Sequence, residues 1–424
     1  MGLATAHRLL RAGVRAHVYE ADDRPGGMSA SFDFDGLALE RYYHFINLPD
    51  EQLFALLREL GLEDKLRWSA TRMGFFRLDT AGIPRLRRWG NPVALLRFPD
   101  VSLVTRLRYG LHAFSCKFLK DLTPLDDVAA DDWFRRWEGR EGYDVLWRFL
   151  FEKKFFHLST PLSAAWIASR IRRVANSRSS LMEERLGYLE GGTSVLIDAL
   201  ARGIEGLGGT LRLNAPVRRV AARPGGGVSL QVGGETLDYD AAISTIPLPY
   251  VPALAPDLPK AYAERVRRVR NVGCACALFR FDRPLTDNFW LNVDLPGFDA
   301  PGVIEYSNLR ATREWGGDGI VYVPFYMPHD HPNWTRPDAE LLDMARAALV
   351  RINPAARERH ARVFRYEYAQ PVCPPGFRHV LPPYETGLPG FFAADTTHSF
   401  PEDRSINESV RIGGELALLA GAQQ

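Results

Sequence analysis

The stretch MGLATAHRLLRAGVRAHVYEADDRPGG, residues 1–27, decides the fold. Leu3, Ala6, Leu9 and Leu10 place apolar side chains at helical spacing behind Gly2, and Gly13 stands just past the end of that pattern. Ala16, Val18 and Tyr19 then read as a short strand that stops on an acid, Glu20, and Arg24-Pro25-Gly26-Gly27 follows as a glycine-rich turn. A helix, a strand and a terminal acid are the later parts of a dinucleotide-binding βαβ unit. Its fingerprint is Gly-x-Gly-x-x-Gly after a strand, with an acid about 20 residues on that accepts hydrogen bonds from ribose hydroxyls. Gly2 to Glu20 has that spacing if Gly2 is the third glycine. The first strand and the first two glycines would then lie ahead of Met1, and the chain is expected to be the remainder of a longer protein. Without that strand the centre of a parallel sheet is open, at a cost in stability. The competing reading is an ordinary amphipathic helix followed by a strand.

The turn narrows the choice. The pair Gly26 and Gly27 lets backbone N–H groups approach a pyrophosphate, and Arg24 brings a fixed positive charge. That arrangement suits FAD better than NAD, because the larger cofactor lies extended along its domain. Tyr19-Glu20-Ala21 through Gly26-Gly27-Met28 resembles the flavin amine oxidase superfamily, in particular its protoporphyrinogen-oxidase-like and desaturase-like bacterial branch. The resemblance implies an α/β fold with a Rossmann-like FAD-binding domain, here without its first strand, a mixed-sheet substrate domain and a helical insertion. It also implies Gly2, Glu20, Arg24, Gly26, Gly27 and Met28 as cofactor-binding residues.

Composition sets outer bounds. A length of 424 residues is enough for two intertwined domains, and 46% hydrophobic with 25% charged residues is ordinary for a soluble globular protein. A formal net charge of +2 gives no reason to expect nucleic acid. Positive charge is carried by arginine, with lysine only at Lys65, Lys117, Lys120, Lys153, Lys154 and Lys260, a bias that reflects a GC-rich genome more than function. Cys116, Cys274, Cys276 and Cys373 lack metal-ligand clustering, and Cys274 and Cys276 fall on one side of a strand, which predicts buried thiols. With no secretory signal and no apolar run long enough to span a membrane, the expected location is cytoplasmic, a targeting segment upstream of Met1 being left open.

Residues 29–47, SASFDFDGLALERYYHFIN, alternate apolar and polar side chains around Asp35-Gly36, a hairpin signal. In the resembled family this hairpin leads from the pyrophosphate toward the flavin ring, which makes Tyr43 and His44 the first catalytic candidates. His44 is suited to donate to the flavin or to act in proton transfer, since an unperturbed imidazole titrates near neutral pH; the alternative is a histidine packed among aromatics. Residues 50–66 read as a helix closed by Gly61, and residues 70–90 as short strands. From 92 to about 180 apolar residues recur at helical spacing with many Trp and Arg, an insertion where similar enzymes place the substrate cover. Its densest basic–aromatic stretch, WRFLFEKKF at residues 147–155, contains Lys154 as a substrate candidate. Three readings stay open there: a pocket wall for an anionic or aromatic substrate, a helix with a solvated charged face, or a peripheral membrane contact. The apolar and basic run 95–118 also keeps membrane contact open.

Gly191-Gly192-Thr193, the helix that follows, the Gly208-Gly209 turn and the strand through Val217 and Val220 resemble the family's return crossing, where the residue matching Val217 bonds the adenine through its backbone. Residues 240–247 read as a buried parallel strand whose tip approaches the cofactor. Amine-oxidising relatives carry a lysine that holds a water at the flavin N5; the matching residue here is Cys276, and no lysine follows Lys260. That departure argues against amine oxidation by this route. Tyr326, on an apolar strand at residues 320–327, belongs to the substrate side. His329-x-His331 has the spacing of a metal pair, but Pro328 and Pro332 flank it and no third ligand is apparent, so no metal is expected. Near the end, the resemblance implies that Asp395 bonds the ribityl or phosphate part of FAD and that Asn407 points at the flavin O2. A helix starting near Ile406 would stabilise the negative charge of the reduced ring. Residues 400–404 form a polar lid.

The expected division is 1–91 for the first part of the FAD-binding domain and the start of the substrate domain, 92–180 for the helical insertion, 181–247 for the second FAD-binding part, 248–385 for the substrate domain and 386–424 for the C-terminal FAD-binding part. The function implied is an FAD-dependent oxidoreductase that takes a hydride from a C–C or C–N bond of a small-molecule substrate to flavin N5. The alternative is an isomerase resembling sugar-nucleotide mutases, in which Arg404 and Arg411 would meet a diphosphate, although the tyrosine pair expected for it is not evident.

Overall fold

The computed structural model describes residues 1–310 and 312–421. The helix Gly2–Arg11 turns Ala6, Leu9 and Leu10 inward, against the helices Ser194–Gly206 and Ile406–Gly421. Gly413 makes the second crossing close: a Cβ there would stand 3.1 Å from both the Met1 carbonyl oxygen and Thr5 Oγ1. The chain leaves the first helix through Gly13 and forms the strand His17–Tyr19, which pairs in parallel with Thr210–Arg212. A second parallel pair, Ala242–Ser244 with Phe391–Ala393, ends beside Gly2, where a Cβ would come within 2.8 Å of Thr245 Oγ1. Among the described residues the two pairs share no strand hydrogen bond, and both border one cavity. The parallel layer read from the sequence is present as two halves.

The larger layer is a seven-stranded mixed sheet in the order Glu358–Pro371, Asn271–Phe281, Gly319–Met327, Gly302–Glu305, Trp290–Asp294, Met73–Leu78, Pro84–Trp89. Trp290–Asp294 and Met73–Leu78 run parallel, and the other neighbours are antiparallel. Every residue of Gly319–Met327 is buried, as a central strand covered on both faces requires. The period of two sorts its side chains. Val321, Val323 and Phe325, with Ala275 and Ala277, face the helix Asp338–Ile352. Tyr322 and Tyr326, with Cys274 and Cys276, face the hairpin Ser31–Phe34/Leu37–Glu40 and the helix Arg148–Phe155. That second face carries the site. The hairpin turns at Asp35-Gly36 with φ of 54° and 80°, both left-handed, as a two-residue turn between twisted strands demands.

Helices Pro92–Leu96, Leu103–Cys116, Ala130–Gly142, Arg148–Phe155 and Ala164–Asn176 fill the insertion, and Glu184–Leu189 closes it by pairing antiparallel with Leu66–Thr71. Ser102 and Ser163 cap two of these helices, accepting the N–H groups of Thr105 and Ala165. The helix expected over 50–66 is shorter. It runs Glu51–Glu59, because Gly61 takes a left-handed φ of 66° and ends it. All four cysteines are free and buried. No helix among the described residues is long and apolar enough to cross a membrane.

Candidate active site

One cavity of ≈ 1850 Å³ extends from between the two parallel strand pairs, past the turn at Gly26 and the residues Arg41 to His44, to the helices of the insertion. Of the residues singled out from sequence, Gly2, Glu20, Gly26, Gly27, Met28, Tyr43, His44, Lys154, Val217, Tyr326 and Asp395 line it, while Arg24 and Asn407 do not.

The glycine-rich end has the character of a dinucleotide cradle. Gly26 sits at φ 113°, and a Cβ on it would stand 2.5 Å from Ile197 Cδ1, so only glycine brings bare backbone to the cavity wall here. Glu20 ends its strand at that wall, its Oε1 accepting the Asp22 N–H at 3.0 Å. Val217 opens an edge strand of the sheet Val217–Ala222, Val228–Val232, Glu235–Tyr239, so its outer backbone groups have no partner strand among the described residues. Arg24 lies one layer behind: it pairs with Asp23 at 2.7 Å and donates to the Ser31 carbonyl at 3.0 Å, bracing the turn against the hairpin. Both Asp395 oxygens accept backbone N–H groups, from Thr397 and Leu248, each at 2.8 Å. The N-terminal turn of the helix Ile406–Gly421 reaches the cavity through Ser405, Ile406 and Ser409. The Asn407 side chain is turned away, accepting the Leu53 N–H at 3.1 Å and donating to Glu408 at 3.1 Å. These features fit the extended FAD inferred from the sequence: bare backbone at the turn, an acid at the strand end and a helix N-terminus farther along.

The other end is aromatic and charged. His44 Nε2 lies 3.3 Å from Ser29 Oγ, and Nδ1 is buried without a protein partner. Burial lowers the His44 pKa against the pull of nearby Glu40, so the ring is neutral at pH 7. Tyr43 packs edge-on against Trp290 and Tyr322, and burial, followed by the neighbouring Tyr326, raises its phenol far above the usual range. Lys154 donates to Gln370 at 3.1 Å, with its Nζ 4.8 Å from the Tyr326 ring centroid and 5.3 Å from that of Trp166. Burial first, then Arg170 and Arg404, hold its pKa well below that of an ordinary lysine.

Sequence reasoning left the partners of the 400–404 lid unnamed. Arg404 donates to Gln370 and, at 2.8 Å, to the Tyr326 hydroxyl; Asp403 pairs with Arg170 at 3.3 Å; and Glu402 accepts from Ser169 at 2.6 Å and from Arg172. Lys154, Arg170 and Arg404 thus face a single acid, Asp403, on the cavity wall. Glu40 is a second residue whose role was not read. It is wholly buried, accepts the Thr193 N–H at 2.8 Å and hydroxyl at 3.1 Å, and locks the hairpin to the Gly191-Gly192-Thr193 turn. The available signals were an acid closing an apolar strand and arginines recurring along one helix.

The chain is similar to several known proteins. It is 24% identical over 308 residues to 15-cis-phytoene desaturase of Synechococcus elongatus, covering 68% of this chain and 64% of the relative. It is 24% identical over 414 residues to coproporphyrinogen III oxidase of Mycobacterium tuberculosis, covering 92% of this chain and 88% of that one. The chain spans about two thirds of the length of the curated desaturases it matches. The fold is that of a crystal structure described as a putative protoporphyrinogen oxidase from Exiguobacterium, with a TM-score of 0.76 at 17% identity, over 100% of this chain and 96% of that one. A model of flavin containing amine oxidoreductases matches residues 2–410, nearly the whole sequence, and the chain belongs to that family.

Proposed function

We propose that the protein is an FAD-dependent oxidoreductase that removes a hydride from the carbon skeleton of a bulky, largely apolar substrate. The observation that carries this reading is the continuity of one ≈ 1850 Å³ cavity between the Gly26 turn and the cluster of Tyr43, Lys154, Tyr326 and Arg404. Gly2, Glu20, Gly26, Gly27, Met28 and Val217 would hold the dinucleotide, with the start of the helix Ile406–Gly421 toward its ring. Arg24 and Asn407 would act at one remove, by bracing the turn and by tying that helix to Leu53. When bound, FAD supplies the hydride acceptor at N5. The chain's own part is to shape a chamber with little water, orient the substrate on aromatic walls, and keep His44 neutral, able to hold a proton at Nε2. Tyr43 keeps its proton and acts through hydrogen bonds of its hydroxyl, not as a base.

The wall favours one bond type. Arg170 and Arg404, half-buried beside Asp403 on the cavity wall, repel a substrate ammonium group, whereas a neutral skeleton or one bearing carboxylates meets no such penalty. Cys276 in place of the lysine of amine-oxidising relatives supports the same choice, as do relatives named desaturase and coproporphyrinogen oxidase. The isomerase alternative loses one of its two arginines, because Arg411 is held by Glu408 and Glu415 at 2.7 Å each. The test is anaerobic mixing of the FAD-loaded protein with 15-cis-phytoene, a coproporphyrinogen or a diamine while the flavin absorbance is followed. Bleaching by either of the first two supports the proposal. Bleaching by the diamine alone, or turnover only after chemical reduction of the flavin, would sink it.

A further inference from the structure

Behind His44 lies a second, much smaller cavity of about 10 Å³, room for one water molecule. Glu40, Gly192, Thr193 and Tyr306 line it, and His44 belongs to its lining and to that of the large chamber. Two polar atoms of these lining residues, His44 Nδ1 and Glu40 Oε2, are buried without a hydrogen-bond partner among the described residues. A third such atom, Arg310 Nη1, stands close by. Gly192 lets the acid and the arginine converge: it has a φ of 85°, and a Cβ on it would lie 3.0 Å from Glu40 Oε1 and 3.2 Å from Arg310 Nη1. The remaining polar groups are already engaged. Glu40 Oε1 accepts from Thr193, and Arg310 gives Nε and Nη2 to Glu314. The hydroxyls of Tyr306 and Tyr322 donate to the main-chain carbonyls of His44 and Glu40 at 3.1 and 2.8 Å, which pins the backbone at both ends of the small cavity.

A buried carboxylate oxygen and a buried ring nitrogen are costly unless a partner satisfies them. Facing one space the size of a water, they are the two ends that a water bridges, accepting from the imidazole N–H and donating to the carboxylate. The bridge fixes the ring. Glu40 is wholly buried and offers only a lone pair at Oε2, so the water turns a hydrogen toward it and its own lone pair toward Nδ1. His44 then carries its proton on Nδ1 and presents the Nε2 lone pair to the large chamber, where the Ser29 hydroxyl lies 3.3 Å away. Burial has the largest effect on the His44 pKa and lowers it; Glu40 comes next and raises it, as a carboxylate one water away should.

We propose that a water held between His44 Nδ1 and Glu40 Oε2 makes these residues a proton relay, with Glu40 the terminal acceptor and Arg310 the charge beside it. The orientation of His44 stands by itself; only the use of the relay rests on the proposed dehydrogenation. As the hydride leaves one substrate carbon for the flavin, the proton on the adjacent carbon bonds to Nε2, and the electron pair of that C–H bond becomes the new double bond. Nδ1 gives its proton to the water, and the water gives one of its own to Glu40. The ring ends neutral as the other tautomer, the water is restored, and the carboxylate has become a carboxylic acid. The first test is the nitrogen-15 NMR spectrum of histidine-labelled, FAD-loaded protein, with the His44 signals identified by their loss in His44→Gln. Wild-type His44 should be the Nδ1–H tautomer. In Glu40→Gln the amide oxygen still accepts from Thr193, while the amide nitrogen replaces Oε2 and donates, which reverses the bridge and should switch His44 to Nε2–H. An Nε2–H tautomer in the wild type would overturn the proposal whatever the variant does, and so would an unswitched tautomer in a variant of unchanged melting temperature. The relay is read separately: with a substrate that bleaches the wild-type flavin, Glu40→Gln should bleach at least about tenfold more slowly. An unchanged rate with a switched tautomer would remove the relay and leave Glu40 as the residue that orients His44. A wild type that bleaches with no substrate would count against the dehydrogenation, and the spectra would still decide the water-linked pair.

Discussion

Gly26 is where the backbone and the site are least separable. Its left-handed conformation strains any side chain, and a Cβ there would also have to push the Ile197 δ-methyl aside. Gly26→Ala should cost about 1–3 kcal/mol in strain and lower the flavin content of the purified protein several-fold, read from its visible absorbance. Full flavin content in the variant would show that the turn does not form the cradle. Glu305 gives a prediction in pH. Burial raises its carboxyl from 4.5 to about 7, against the opposing bonds from Ser307 and from the Leu285 N–H. The folded protein therefore holds a proton that the unfolded chain releases, and this favourable contribution, complete below pH 4.5, is lost as pH rises to about 7. Glu305→Gln keeps a neutral group of the same shape. Urea titrations should show the wild type losing about 3 kcal/mol relative to the variant across that window, and parallel curves would disprove it. At this scale the sequence was only partly legible. The glycine-rich turn brought Arg24, and the family resemblance Asn407, beside the site, but side-chain direction depends on Asp23, Ser31, Leu53 and Glu408, and both turn away.

Among the elements, the 400–404 lid shows how a polar loop is held over an apolar chamber. Glu402, Asp403 and Arg404 reach Arg172, Arg170 and Tyr326, so the lid is riveted to both the helix Ala164–Asn176 and the strand Gly319–Met327. Burial opposes ionisation of Asp403, yet Arg170, Arg404 and Lys154 together hold its carboxyl well below the usual range. Asp403→Asn would leave Arg170 and Arg404 without their acid and should cost about 2–4 kcal/mol, seen as a lower melting temperature. Adding Arg170→Met should recover part of that loss, since one unpaired charge goes with it. No loss in the single variant would mean the cluster is hydrated and the lid is fastened elsewhere. Helices and the Asp35-Gly36 hairpin were readable because each is set by residues a few positions apart, and the lid's position came from the family resemblance. The lid's fastening was not readable, since it joins segments some two hundred residues distant.

For the whole molecule the same distinction separates the two sheets. The parallel strands around the cavity carry local signatures, an acid at a strand end and glycine turns at the helix boundaries. In the seven-stranded sheet single strands were legible but their order was not, because Met73–Leu78 joins it by pairing with Trp290–Asp294 from the far half of the chain. The architecture also makes the two layers unequal in stability. The large sheet is covered on both faces by continuous clusters, whereas the parallel layer consists of two three-residue pairs that border the cavity without bonding to each other. Short strands open to solvent on one edge sit at the low end of local stability, and a ligand that bridges them raises it by mass action. Hydrogen exchange measured by mass spectrometry should therefore find the amides of residues 16–20, 242–245 and 391–394 exchanging fast in protein stripped of flavin and at least about tenfold more slowly after FAD is added, with Asn271–Phe281 and Gly319–Met327 slow throughout. Equal protection of the parallel strands with and without FAD would show that the two halves are stable on their own and that the cofactor does not span the gap between them.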